Sequence, residues 1–291
     1  MDIDRNFICI PLNGDRLGGQ LTYSLAYTFY AKHFNIPLKY QTNGLFSNNI
    51  HINSIFMLVL DEWMDEYNKN ITEVNNNALN NFIYSENWYE IMIQTLKTIK
   101  TDFISYFKIH FYSKIRTKLI NKAELFKYQI PFNPTKTILI HLRLNDVRRW
   151  PLYDGSLCHN KYKKFINNDL FDKCNDICQF RQAPIDNNVL INLINEAKNK
   201  YPQHEVIIIT SPGEHISTPF RCISNSDPNI DLFLLCNTEV LITSKSTFGI
   251  MPLFFGIVKE AWVPLWCHNA CLGMDTKYDK NDKDNIIINY Y

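Results

Sequence analysis

The chain has 291 residues, of which 30 are Lys or Arg and 29 are Asp or Glu, for a formal net charge of +1; hydrophobic residues make up 46%. That balance excludes a global field drawing the protein to nucleic acid or to an anionic membrane, so any anion site must be local, and the apolar content excludes a disordered chain. The length exceeds one ordinary core and favours two lobes.

The N-terminal stretch MDIDRNFICIPLNGDR lacks a basic segment followed by a long apolar run, and Ile55 to Leu60 is too short to span a bilayer. A cytoplasmic protein with no transmembrane segment is therefore expected. Phe7 to Leu12 reads as a short buried strand, Asn13 to Gly19 as a glycine-rich turn, and Gln20 to Phe34 as a helix with Leu21, Leu25, Ala26, Phe29 and Tyr30 on one face. Pro37 to Gln41 is the next strand. From residue 52 to about 127 the pattern is helical, with Trp63, Trp88 and Tyr89 among charged residues, and the Asn-rich stretch Asn68 to Asn81 is expected to be a surface loop.

Pro131-Phe-Asn-Pro134 breaks this pattern and marks a lobe boundary near 135. The segments beyond it alternate. Strands are predicted at Thr137 to Arg143, Glu205 to Thr210, Glu239 to Thr243 and, last, Val258 to Pro264. Helices are predicted at Asn187 to Tyr201, with Val189, Leu190, Leu193, Ile194 and Ala197 on one face, at Asp231 to Cys236 and at Thr247 to Gly256. Such alternation argues an α/β fold, a parallel sheet covered by helices on both faces, whose ligands bind at the carboxyl ends of the strands. The eight cysteines include the pairs Cys174/Cys178 and Cys267/Cys271 at C-x3-C spacing, which does not suit zinc knuckles; reduced core thiols are the expected state.

Three strand ends carry polar groups: Arg143 in HLRLND, Ser211 to Glu214, and Ser244 to Thr247 ahead of an apolar helix. An arginine fork binds a diphosphate bidentately, and a helix start offers free amides to the same anion. Two readings compete at the helix start, because Ser246 or Thr247 can also serve simply as a cap.

Leu17-Gly-Gly-Gln-Leu21, His141-Leu-Arg-Leu-Asn-Asp146 and Asp231-Leu-Phe-Leu-Leu-Cys236 followed by Ser244-Lys-Ser-Thr-Phe248 occur in this order. The set resembles the L-G-N-Q, H-x-R-R-x-D and D-L-x-L-M-x-x-C…S-N-S-[ST]-F segments of the α-1,2-fucosyltransferase family, relatives of the α-1,6- and protein O-fucosyltransferases. The resemblance implies a GT-B-like architecture of two facing Rossmann-like lobes with a helical layer in the first. Residues 1–135 would form the acceptor side and residues 136–291 the nucleotide-sugar-binding lobe. It also implies inverting transfer from GDP-fucose to a glycan hydroxyl, with no metal and no other cofactor; the partners are the donor and a glycan acceptor, not nucleic acid. Arg143 would hold the diphosphate, helped by His141, Lys245, Ser246, Thr247 and Phe248, with Gly18, Gly19 and Gln20 also on the donor. Leu144 stands where the family has a second arginine, Gly19 where it has Asn, and Lys245 where it has Asn, so Lys245 is expected to replace the charge missing at 144. A general base is sought among Asp15, Asp146 and Asp154, and Asp146 is the choice. A catalytically silent nucleotide- or carbohydrate-binding module on the same fold, a transferase using another nucleotide sugar, and a dinucleotide-binding oxidoreductase are the rival readings.

Overall fold

The computed structural model describes residues 7–11, 16–40, 54–83, 95–96, 98–99, 101–144, 185, 187–214, 216–264 and 286–291. The chain forms two compact units, one built on Met1–Glu124 and the other on Leu125–Ala270 with Lys280–Tyr291.

In the first unit, β1 (Ile8–Ile10) and β2 (Leu38–Tyr40) pair in parallel, Ile8 opposite Leu38, and α1 (Leu17–Phe34) connects them. This helix starts earlier than the sequence suggests. Gly18 and Gly19 lie in its first turn rather than in a glycine turn. It is buried on most sides, and its hidden hydroxyls are satisfied locally, Thr22 Oγ1 donating to the Gly18 carbonyl at 2.8 Å and Thr28 Oγ1 to the Ser24 carbonyl at 2.6 Å. Asn35 ends the helix in the left-handed region at φ 56°.

Helices α2 (Ile55–Asn68), α3 (Asn76–Ile83), α4 (Phe103–His110) and α5 (Tyr112–Leu125) complete the described part of this unit. Phe29 of α1 is the centre of their packing, stacked on Phe103 at 4.5 Å and met edge-on by Tyr106 and Phe107. Trp63 is core, stacked on Tyr67 at 5.1 Å. Trp88, Tyr89 and Trp150 lie outside the described residues.

The Asn-rich stretch is only in part the surface loop expected: residues 69–75 form an exposed or half-buried turn, and its two ends belong to α2 and α3. Asn68 closes α2 and uses its side-chain amide as a strand would, accepting from the Leu38 N–H at 2.9 Å and donating to the Leu38 carbonyl at 2.7 Å. Asn75 Oδ1 accepts from the Ala78 N–H at 3.0 Å and so caps α3. The polar amides that disfavour helix interiors favour helix ends, and this stretch is two ends joined by a short turn.

The second unit holds a six-stranded sheet in the order β5-β4-β3-β6-β7-β8, every pair parallel. The strands are β3 (Thr137–Leu142), β4 (Glu205–Thr210), β5 (Arg221–Ile223), β6 (Val240–Thr243), β7 (Glu260–Val263) and β8 (Ile287–Tyr290). The expected parallel α/β arrangement is present, with two strands unforeseen: β5, polar and exposed, and β8, which follows the strand expected to be last. The helices are α6 (Asn187–Lys200), α7 (Pro228–Leu235) and α8 (Thr247–Phe255). Leu190, Leu193, Ile194 and Ala197 of α6 join Ile138, Ile140, Leu142 and Leu144 in one core. Val189, expected on that face, is exposed. Gly249 of α8 lies against His141 and Thr243, on the opposite face. Helices thus cover both faces, and β3, β6 and β7 are buried throughout.

The amino end of β7 is held by a buried carboxylate. Glu260 is 1% exposed and accepts from Tyr201 Oη at 2.6 Å, Lys200 Nζ and Asn289 Nδ2, so one acid ties α6, β7 and β8 together. Burial alone would raise its carboxyl, but the hydrogen bonds from Lys200, Tyr201 and Asn289 outweigh that and hold it below the ordinary range.

Candidate functional site

In the second unit, counting strands from β3 gives the order 3-2-1-4-5-6, so the direction of winding reverses between β3 and β6. A crevice opens at such a switch point outside the carboxyl ends of the two strands. His141 pairs in register with Thr243 across it, which places His141 to Arg143 beside Thr243 to Lys245.

The two ends are stitched by side chains. Ser244 Oγ lies 3.0 Å from His141 Nδ1, with both residues buried. The imidazole is further enclosed by the Phe248 ring at 5.3 Å and by Gly249, where an added Cβ would stand 2.8 Å from Nδ1. Burial first, and the Arg143 charge second, push the His141 imidazole down to about 3. It is therefore neutral at working pH, and Ser244 either donates to a bare Nδ1 or accepts from a protonated one.

Helix α8 starts at this point. Ser246 is its N-cap, its Oγ accepting from the Phe248 N–H at 3.2 Å, while Gly249 to Phe255 are buried. The capping role is thus real. It also fixes the helix start, whose positive end and remaining first-turn amides follow directly on the carboxyl end of β6. Arg143, Lys245, Thr247 and Phe248 are all part-buried around it. The arrangement suits an anion: a guanidinium, an ammonium and a helix start, beside a histidine kept uncharged.

Of the residues singled out for chemistry, His141, Arg143, Lys245, Ser246, Thr247 and Phe248 are brought together here. Gly18, Gly19 and Gln20 form the first turn of α1 in the first unit, where Gln20 is buried. Asp146, Asp15 and Asp154 lie outside the described residues, as do Cys174, Cys178, Cys267 and Cys271. Cys9, Cys222 and Cys236 are in no disulfide, but Cys9 and Cys222 are exposed rather than core. Leu144 does not line the crevice: it is buried in the α6 core, on the other face of the sheet from His141. No group of His, Cys, Asp or Glu suited to a metal ion occurs among the described residues, and none of the described helices is long and apolar enough to cross a membrane.

Three features escaped the sequence. Tyr291, beyond β8, donates its hydroxyl to the Thr243 carbonyl at 2.5 Å and so braces the residue before Ser244. The Oγ1 atoms of Thr210 and Thr243, at the carboxyl ends of β4 and β6, are buried without a hydrogen-bond partner. Asp231, in the first turn of α7, is buried, and burial pushes its carboxyl up to about 7 although Asn225 Nδ2 donates to it at 2.6 Å. An acid inside the apolar run Ile230-Asp-Leu-Phe-Leu-Leu235 was the available sign of the last.

Fold and site together define a doubly wound α/β unit with an anion-suited crevice at its switch point. Compared with protein-family models, with curated proteins and with solved structures, the chain has no match.

Proposed function

We propose that the chain is a glycosyltransferase whose second unit binds a nucleoside diphosphate sugar, with GDP-fucose as donor and a glycan hydroxyl as acceptor. The observation that carries the reading is the convergence of Arg143, the Ser244–His141 pair and the capped start of α8 at the strand-winding reversal. These groups also include the residues that resemble the fucosyltransferase motifs. Negative charge builds on the departing nucleoside diphosphate during transfer, and donors fixed in advance stabilise it without reorganising. Arg143 supplies a fork to two oxygens, Lys245 a point charge, and the α8 amides neutral donors. His141 acts through shape: its ring holds Ser244 and Phe248 and thereby the turn between β6 and α8.

In this reading transfer inverts the anomeric centre, needs no metal, and uses Asp146 as base. The first unit carries the acceptor, and the two units are the two lobes of a GT-B enzyme. Isothermal titration of the full chain with GDP, GDP-fucose, UDP-galactose and dTDP-rhamnose tests it, followed by a transfer assay in EDTA. Guanine nucleotides should bind most tightly and turnover should survive the chelator. Tighter binding of a UDP- or dTDP-sugar ends the fucose assignment. Donor binding with neither transfer nor hydrolysis makes the protein a binding module.

A further inference from the structure

The first unit contains an open pocket of about 560 Å³ between the last turn of α1 and the turn that leads into α3. One wall is His33, Phe34 and Asn35; the other is Glu73 and Val74 with the run Asn75-Asn-Asn77. From this lining we infer a binding site for a neutral, hydroxyl-rich ligand, a mono- or disaccharide.

The walls are held in place by the protein itself. Asn35, in its left-handed helix-ending conformation, donates from Nδ2 to the Glu73 carbonyl at 2.6 Å and ties one wall to the other. Tyr30 Oη donates to the Ala78 carbonyl at 2.9 Å, fastening the first turn of α3 to α1, and Asn75 caps that turn. Among the described residues, neither Asn76 nor Asn77 spends its side-chain amide on another protein group. Two amides thus face a pocket whose frame is already assembled by other residues.

The composition of the lining selects the ligand. Apolar ligands are disfavoured because amides and a carboxylate dominate and would be desolvated without partners. Anionic ligands are disfavoured because Glu73 is the one carboxylate of the lining and no Lys or Arg offsets it, while burial lowers the His33 imidazole from its ordinary value. Neutral vicinal hydroxyls suit it, since each primary amide offers a donor and an acceptor side by side. Half-buried Phe34, packed on Tyr30 at 4.5 Å and met edge-on by His33 at 4.8 Å, adds aromatic lining against which the C–H groups of a sugar ring can pack. The volume lies within the range of roughly 300 to 1,000 Å³ of small-molecule sites, enough for one or two pyranose rings. The site lies wholly in the first unit and stands whether or not the second unit binds a nucleotide.

Saturation-transfer NMR and titration of the full chain with methyl β-galactoside, lactose and, as an anionic control, N-acetylneuraminic acid test the site. The neutral sugars should bind at millimolar concentration. The double variant Asn76→Ala/Asn77→Ala should weaken them roughly tenfold or more, because two hydrogen-bonding groups are lost. Both residues are exposed and alanine favours a helix, so the melting temperature should hold. A GDP titration of the same variant reads the second unit separately. No binding of either neutral sugar, binding indifferent to the double variant, or preference for the anionic sugar would each overturn the assignment.

Discussion

Ser244 and His141, 103 residues apart in the chain, meet side chain to side chain at 3.0 Å and join the carboxyl ends of β6 and β3. The contact exists only because position 249 has no Cβ: one built there would lie 2.8 Å from His141 Nδ1 and 3.3 Å from Thr243 Cβ. Helix propensity alone predicts that Gly249→Ala stabilises the protein by about 1 kcal/mol. The collision opposes this, since overpacking typically costs about 1 to 3 kcal/mol and here also displaces the imidazole. A net loss of stability in urea unfolding and weaker GDP binding are expected; a more stable variant with unchanged GDP affinity would show that the His141 ring moves aside freely.

Arg143 and Lys245 are part-buried at the crevice, whereas Leu142 and Leu144 beside Arg143 are core. Removing either cation should therefore spare the fold and weaken the anion. A charge-assisted contact is worth about 1.5 to 3 kcal/mol, so Arg143→Ala and Lys245→Ala should each reduce GDP affinity roughly 10- to 100-fold. Calorimetry with circular dichroism separates the two effects, and an unchanged dissociation constant for Arg143→Ala would sink the diphosphate site.

The charge absent at position 144 cannot be restored there. Leu144 is 9% exposed and packs with Ile140, Leu142 and the α6 residues on the face opposite His141. Leu144→Arg should cost about 3 kcal/mol by placing an unpaired charge in apolar surroundings, and it should not rescue GDP binding in Lys245→Ala. Recovery of affinity in the double variant would mean that residue 144 reaches the crevice after all.

Asp231 sets a distinctive pH dependence. Folded, its carboxyl is raised to about 7 from an ordinary value of 3.8 by burial, with Asp227 adding to the shift. Between these values the native state holds a proton that the unfolded state has released, so this residue makes stability fall as pH rises through the window. Each unit corresponds to about 1.4 kcal/mol. Asp231→Asn, whose amide oxygen can still accept from Asn225, should match the wild type near pH 4 and exceed it by on the order of 2 to 4 kcal/mol at pH 8. His141 contributes the opposite slope, because its depressed imidazole leaves the unfolded state with the extra proton below about pH 6.5. The variant should therefore gain stability with rising pH where the wild type is flatter. Equal urea midpoints for the two proteins at pH 8 would refute the raised carboxyl.

The alternation of apolar runs and amphipathic stretches after residue 135 was enough to read a parallel α/β sheet, because buried strands such as Thr137–Leu142 and Glu205–Thr210 need continuous apolar sequence. The same logic failed for β5 and β8. β5 has only Cys222 and Ile223 after Arg221 and is largely exposed, so no apolar run announces it; β8 does contain Ile287 and Ile288 of the run Ile286-Ile-Ile288, but its residues are exposed or half-buried, and pairing with β7 makes it a strand. The Asn-rich stretch misled because amides are scarce in helix interiors but frequent at helix ends, and composition does not distinguish an end from a loop. At the crevice, Arg143 and Ser244 to Phe248 were legible as polar groups following strands. That Ser244 faces His141, that Leu144 turns to the other face, and that Tyr291 braces Thr243 all depend on the order and register of strands far apart in the chain. Those relations come from long-range packing, which local residue patterns do not encode, and they decide which of the strand-end groups point at one another.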